Sequence, residues 1–324
     1  MTKPKHILAI VDPTTTSQPA VDRAALLAKR LRARLELFVC DYDPALVSAT
    51  FDRDSLTKAR ASLLENHVRR LRDRAKALAA NDIDVDVDSR WDSPLADGIV
   101  RKAVESRADI IVKDTHYHPV LKRSVFSNTD WNLIRNCPAL LWLVKPRAIA
   151  QKPCFVAAVD PLHERAKPAA LDERIIATAK QLCNPLSGEL HVFHAFDVTP
   201  MLAASMDVMS MPLALPVREL TDSMRVQHTG ALHELTDAHG VRRDQVHIRA
   251  AGTREAALAL TEELRADVVV MGALSRRGLK RLFLGNTAED VLDKLPCDLV
   301  IVKPVGFETS VPRSAVIPTA VTVV

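Results

Sequence analysis

DIIVKDTHYHPVLKRSVFSNTDWNLIRNCPALLWLVKP, from Asp109 to Pro146, aligns without a gap on DVVVMGALSRRGLKRLFLGNTAEDVLDKLPCDLVIVKP, from Asp267 to Pro304. The two stretches share Leu-Lys-Arg (Leu121 to Arg123, Leu279 to Arg281), Asn-Thr (Asn128-Thr129, Asn286-Thr287) and Val-Lys-Pro (Val144 to Pro146, Val302 to Pro304). The likeness extends to the beginnings of the halves, where Ala9-Ile10-Val11-Asp12-Pro13 matches Ala157-Ala158-Val159-Asp160-Pro161. Each half of the 324-residue chain therefore begins and ends alike. A repeat about half the chain long is a duplicated domain, far longer than the roughly 20–50 residues of a solenoid repeat. The division expected is a first domain over 1–148, a second over 152–304 and a tail over 305–324.

Within each half, short apolar runs alternate with longer segments of helical period. The first half reads as strand Ile7 to Val11, helix Pro19 to Arg32, strand Leu35 to Val39, a long charged helix Leu56 to Ala80, and strand Ile83 to Val87. Helix Leu95 to Ser106, strand Ile110 to Val112, helix Asp130 to Arg135 and strand Ala139 to Val144 complete it. The second half repeats this order from Phe155 to Val302, with a last helix expected over Thr287 to Lys294. Strands joined by helices run parallel through right-handed crossovers. The fold class expected is thus α/β: two tandem doubly wound domains, each with a mostly parallel five-stranded sheet. Ligands of such sheets sit at the carboxyl ends of the strands, where the strand order reverses. Ile83 to Val87 alternates apolar residues with Asp, which marks an edge strand or one with a polar face. Two segments break the pattern. The insert 197–216 carries four methionines and three prolines, and the tail beyond Val305 reads as mobile or as an added edge strand.

Composition narrows the function classes. With 48 % hydrophobic and 26 % charged residues the chain is an ordinary globular protein. A net charge of +4, with Lys and Arg interspersed among Asp and Glu, gives no nucleic-acid surface, and 4 % aromatics leave little for base stacking. No apolar run approaches the roughly 20 residues of a membrane span, and the run from Ile7 is too short for a secretory leader. A cytoplasmic location is expected. Five scattered cysteines without a C-x-x-C pattern read as reduced thiols rather than disulfides or a zinc site. There is no G-x-S-x-G, no H-E-x-x-H and no paired-carboxylate motif, so neither a catalytic residue nor a metal site is assigned.

One segment carries chemistry. Gly272-Ala273-Leu274-Ser275-Arg276-Arg277-Gly278, followed by Gly285-Asn286-Thr287, leaves a strand and opens a helix. Glycines let backbone amides approach an anion, and a helix N-terminus favours it. Asn286 or Thr287 caps that helix, and Arg276 adds charge. Read from spacing alone, this is either a phosphate cradle or a glycine turn before a well-capped helix. In the first half Asp114 stands where Gly272 does and Ser127 where Gly285 does. A carboxylate there repels phosphate, so no triphosphate is expected in the first half. His116 and His118 alternate in that loop and read as solvent-exposed.

These residues resemble the universal stress protein family, and the whole chain looks like its two-unit, E-type members. The likeness rests on Val269 to Gly272, Arg276, Gly278-Leu279, Leu284 to Glu289 and Cys297 to Pro304, with Thr129-Asp130-Trp131 and Cys137-Pro138 as the first-half counterparts. Nucleotide-binding members carry G-x2-G-x9-G-[ST]. Here Gly272 and Gly285 hold the ends, Ser275 replaces the middle glycine and Asn286 stands before Thr287. The resemblance implies an aspartate near the ribose, matched by Asp160, and a backbone position reading the adenine edge, matched by Ala195. It implies a fold of the adenine-nucleotide alpha-hydrolase kind and binding of ATP or AMP, with Mg²⁺ in the case of ATP. The nucleotide-binding residues expected are Asp160, Ala195, Gly272, Ser275, Arg276, Gly278, Gly285, Asn286 and Thr287. It also implies an intramolecular pseudo-dimer through Leu140 to Val144 and Leu299 to Val302, open to further homodimerisation. Two function classes stand: a stress-response protein binding an adenine nucleotide or related small ligand through its second half, and a nucleotide-free interaction module with vestigial or repurposed pockets. A slow ATPase is a weaker third.

Overall fold

The computed structural model describes residues 3–47, 52–118, 123–162, 170–198, 217–273 and 294–315. The chain divides into two compact units, Thr2–Ala148 with the segment from Gly306, and Ile149–Val305.

The first unit is built from β1 (His6–Ile10), α1 (Pro19–Leu31), β2 (Arg34–Asp41), α2 (Arg53–Ala79), β3 (Val85–Trp91), α3 (Leu95–Ser106), β4 (Ile110–Asp114), α4 (Asn128–Asn136) and β7 (Leu140–Val144). Its strands lie in the order β7-β4-β1-β2-β3, and every pairing is parallel. All five residues of β1 are buried, as expected of a central strand covered by helices on both faces. The chain turns into α1 at Pro19, whose fixed φ suits a first helical position. Ala20, Ala24, Ala25 and Ala28 then bring the helix close to the sheet, with Val21, Leu27 and Leu31 filling the interface. Arg32, in the left-handed conformation (φ 51°), ends it.

The second unit repeats the plan with β8 (Cys154–Ala158), α5 (Ala170–Cys183), β9 (Glu189–Phe196), α6 (Val217–Ala238), β10 (Val246–Ala250), α7 (Thr253–Glu263), β11 (Val268–Gly272) and β12 (Asp298–Val302). The order is β10-β9-β8-β11-β12, again parallel throughout. In both units the chain winds outward from the first strand, returns, and continues on the other side. The switch points therefore fall between β1 and β4 and between β8 and β11.

One expectation is corrected and one element is added. The strand read at Ile83 to Val87 is shifted: β3 runs from Val85 to Trp91, pairing Leu35 with Val85 and Asp41 with Trp91. Its polar residues find partners that hydrophobic periodicity cannot register, Lys102 for Asp88 and Glu105 for Arg90. It is the edge strand of the first sheet, as its alternation indicated. The loop after β4 also contains a small antiparallel pair, β5 (His116–His118) with β6 (Arg123–Val125). Residues 199–216 of the insert 197–216 and the helix expected over Thr287 to Lys294 lie outside the described residues, apart from Lys294 at the end of that span.

Candidate functional site at the strand ends of the second unit

Asp160 follows β8, Gly272 ends β11 and Ala195 is the penultimate residue of β9, so these three stand at the carboxyl ends of three neighbouring strands. Ser275, Arg276, Gly278, Gly285, Asn286 and Thr287 lie outside the described residues. The backbone N–H of Asp160 donates to Asp172 Oδ1 (3.1 Å) in the first turn of α5, which fixes the turn out of β8. The Asp160 side chain is half-buried, and its carboxylate has no hydrogen-bond partner among the described residues.

Gly272 has a packing reason that the sequence concealed. A Cβ there would lie 2.8 Å from Leu171 Cδ2 and 3.2 Å from Ile175 Cδ1 on α5. Glycine at this point lets the helix lie against the strand end, independently of any ligand.

Two histidines near Asp160, His194 and His228, form an organised pair. His194 Nδ1 lies 3.0 Å from the Val159 carbonyl, and its Nε2 lies 2.7 Å from His228 Nδ1 on α6. A carbonyl only accepts, so His194 carries its proton on Nδ1 when neutral, and His228 Nδ1 then donates to His194 Nε2. Phe196 stacks on His228 at 4.5 Å and 11°. Both histidines are buried. Together they hold Val159, the residue before Asp160. The readable signal was their placement: His194 and Phe196 share a face of β9, and His228 leads the buried ridge His228, Leu232 and Thr236 of α6.

The same corner of the first unit is filled by its own side chains. Asp12 accepts from the backbone N–H (2.8 Å) and hydroxyl (2.6 Å) of Thr14. Gln18 closes the loop by donating to the Asp12 and Thr15 carbonyls and accepting from the Asp12 N–H. At the end of β4, Asp114 accepts from the Ala20 N–H at the start of α1 (2.7 Å). Burial pushes its carboxyl up to about 7, reinforced by Asp12 and Asp22 and opposed by that N–H and by Lys113. At α4, Ser127 and Asp130 form a reciprocal capping box. Lys113 Nζ donates to Asp130 Oδ1 at 2.8 Å, and Asp130 is fully buried. Asp130 thus presents a carboxylate at a helix N-terminus, where an external phosphate would otherwise be favoured. In the duplication Lys113 matches Met271 and Asp130 matches Ala288, so this ion pair belongs to the first half alone.

Elsewhere, burial raises the thiols of Cys40 and Cys154 to about 12 and that of Cys183 to about 11, which disfavours the nucleophilic thiolate. Among the described residues no group of three His, Cys, Asp or Glu side chains is placed to hold a metal ion, and no helix is long and apolar enough to cross a membrane.

Comparison with known proteins agrees with the two-unit reading. The model of the universal stress protein family matches residues 3–145 and again 158–303. Universal stress protein E of Escherichia coli (strain K12) is 28 % identical over 312 residues, covering 95 % of this chain and 96 % of that protein. Among solved structures, a putative universal stress protein from Pseudomonas aeruginosa UCBPP-PA14 aligns over 93 % of this chain and 94 % of its own, with a TM-score of 0.71 at 23 % identity. One from Archaeoglobus fulgidus DSM 4304 aligns over 93 % and 99 %, with a TM-score of 0.64 at 16 % identity. Two successive family matches on a chain that folds as two copies of one α/β unit lead to one conclusion: this chain belongs to the universal stress protein family, as a tandem member.

Proposed function

We propose that this chain is a stress-response protein whose second unit binds an adenine nucleotide or a related small ligand at the β8–β11 switch point. ATP and AMP are the candidate nucleotides, with Mg²⁺ accompanying ATP. The observation that supports this most is the contrast between Asp160 and Asp12. Asp12 is engaged by Thr14 in a loop that Gln18 closes, whereas the backbone of Asp160 is held at a strand end by Asp172 and no described residue donates to its carboxylate, which leaves its oxygens for a ligand hydroxyl. Gly272 is compatible with this role, although its packing against Leu171 accounts for it already. For the first unit the nucleotide-free reading is favoured, because Asp114 and the Lys113–Asp130 pair put carboxylates where phosphates would lie.

Equilibrium titration with labelled ATP and AMP tests the proposal. Saturable binding is expected, weakened by about tenfold or more in Asp160→Asn through loss of a charge-assisted hydrogen bond, and unchanged in Asp12→Asn. Gly272→Asp by itself would press on Leu171. The first-unit arrangement is therefore copied as Gly272→Asp with Leu171→Ala, which should abolish binding while the fold is retained. Absence of saturable binding at millimolar nucleotide overturns the reading.

A further inference from the structure

The chain beyond Val305 is not part of the second unit that precedes it. Residues from Gly306 group with the first unit, although that unit's sheet ends some 160 residues earlier at Val144. Ser310 Oγ donates to Asn136 Oδ1 (3.0 Å) at the end of α4, and the Pro312 carbonyl accepts from Arg101 Nη1 (3.3 Å) on α3. Burial along the segment alternates: Phe307, Thr309 and Val311 are half-buried, and Gly306, Glu308, Ser310 and Pro312 are exposed. Period-two burial marks an extended segment with one face laid on a surface. It joins no strand among the described residues. Recognition is by side chains of the first unit rather than by a β ladder.

The receiving surface is preorganised. Arg101 forks onto Asp92, with Nε–Oδ2 at 2.8 Å and Nη2–Oδ1 at 2.6 Å, and both side chains are buried. This fixes the guanidinium and leaves Nη1 for the strap. Gly98 keeps the helix close beneath: a Cβ there would meet Cys40 Sγ at 2.5 Å and Asp92 Cβ at 2.7 Å. The feature is specific to the first unit. The register that sets Asp109 on Asp267 also sets Asp92, Arg101 and Asn136 on Ala250, Ala259 and Lys294.

We propose that the α3–α4 face of the first unit is a docking surface for an extended peptide, and that its occupant is this chain's own segment 307–312. The unit whose phosphate corner is filled by its own carboxylates would thereby serve as the receptor for the chain's C-terminal strap.

The test uses the full chain with a protease-cleavage sequence inserted after Val305, which is 75 % exposed. The protein is folded first, then cut, and the labelled tail is followed by size exclusion. The tail is expected to stay with the protein, and Phe307→Asp or Arg101→Ala should speed its release by about tenfold or more. Hydrogen exchange on the uncut chain provides a readout that does not depend on cutting. In Phe307→Asp, amides of α3 and α4 should exchange faster while those of α7 are unchanged. A tail released at once on cutting, with α3 and α4 exchange indifferent to Phe307→Asp, overturns the proposal. A tail that bridges two chains, seen as a dimer lost on cutting, overturns the assignment to the chain's own segment.

Discussion

Asp114 shows how one residue can fill a strand-end corner and leave a measurable trace. Its carboxyl is raised from 3.8 to about 7, mainly by burial. A raised acid pKa means that the folded state holds its proton more tightly than the unfolded chain. The stability this contributes is complete below about pH 4 and is lost as pH rises through 7. The first unit should therefore lose about 2–4 kcal/mol between pH 4 and pH 9 from this group. Asp114→Asn keeps an acceptor for the Ala20 N–H without the charge. Denaturant unfolding of that variant should show a flatter profile over this range and a gain in stability above pH 7. The position was legible in the duplication, because it sets a carboxylate opposite Gly272. Its partner was not legible, since Ala20 offers a backbone amide and leaves no signature. The Lys113–Asp130 pair was readable in principle, as opposite charges replacing Met271 and Ala288. The His194–His228 pair was harder to see, being a contact between a strand and a helix that only the tertiary fold brings together.

At the scale of elements, apolar runs located the strands because burial on both faces demands continuous hydrophobicity. That rule weakens at β3, where α3 ties the strands together with charges. Lys102 reaches Glu36 Oε1 on β2 (2.6 Å) and Asp88 Oδ2 on β3 (2.7 Å), and His6 Nε2 on β1 lies 3.1 Å from Glu36 Oε2. Burial works to raise the Glu36 carboxyl, but His6 and Lys102 outweigh it and bring it down to about 2. A lowered acid pKa contributes stability above about pH 4.5 that is lost as pH falls toward 2. Lys102→Met removes the main counter-charge from a nearly buried carboxylate and should cost about 3–5 kcal/mol. Acid unfolding followed by circular dichroism should move to higher pH in this variant. Adding Glu36→Gln should restore most of the loss, because the uncompensated charge is then gone. The hairpin β5–β6 escaped detection for a related reason: three-residue strands around His116 and Arg123 are too short for any period to emerge.

At the scale of the whole molecule, the two copies of the unit differ at the same corner. The first unit has spent its corner on internal contacts: Gln18 closes the loop after β1, Asp114 caps α1 and Asp130 caps α4. The second has Asp160 beside the glycine that ends β11, with the buried histidine pair holding the turn before it. A ligand that binds only the folded second unit stabilises that unit by RT ln(1 + [L]/Kd), about 2.7 kcal/mol at a hundredfold excess over Kd. On the proposed reading the effect should be local, because carboxylates fill the corresponding corner of the first unit. Hydrogen exchange with saturating ATP should slow by up to about a hundredfold for amides of β8, β11 and the start of α5, and stay unchanged for β1, β4 and α1. Equal protection at both switch points would mean that the first unit's carboxylates yield to phosphate, and that the asymmetry between the halves does not decide where the ligand binds.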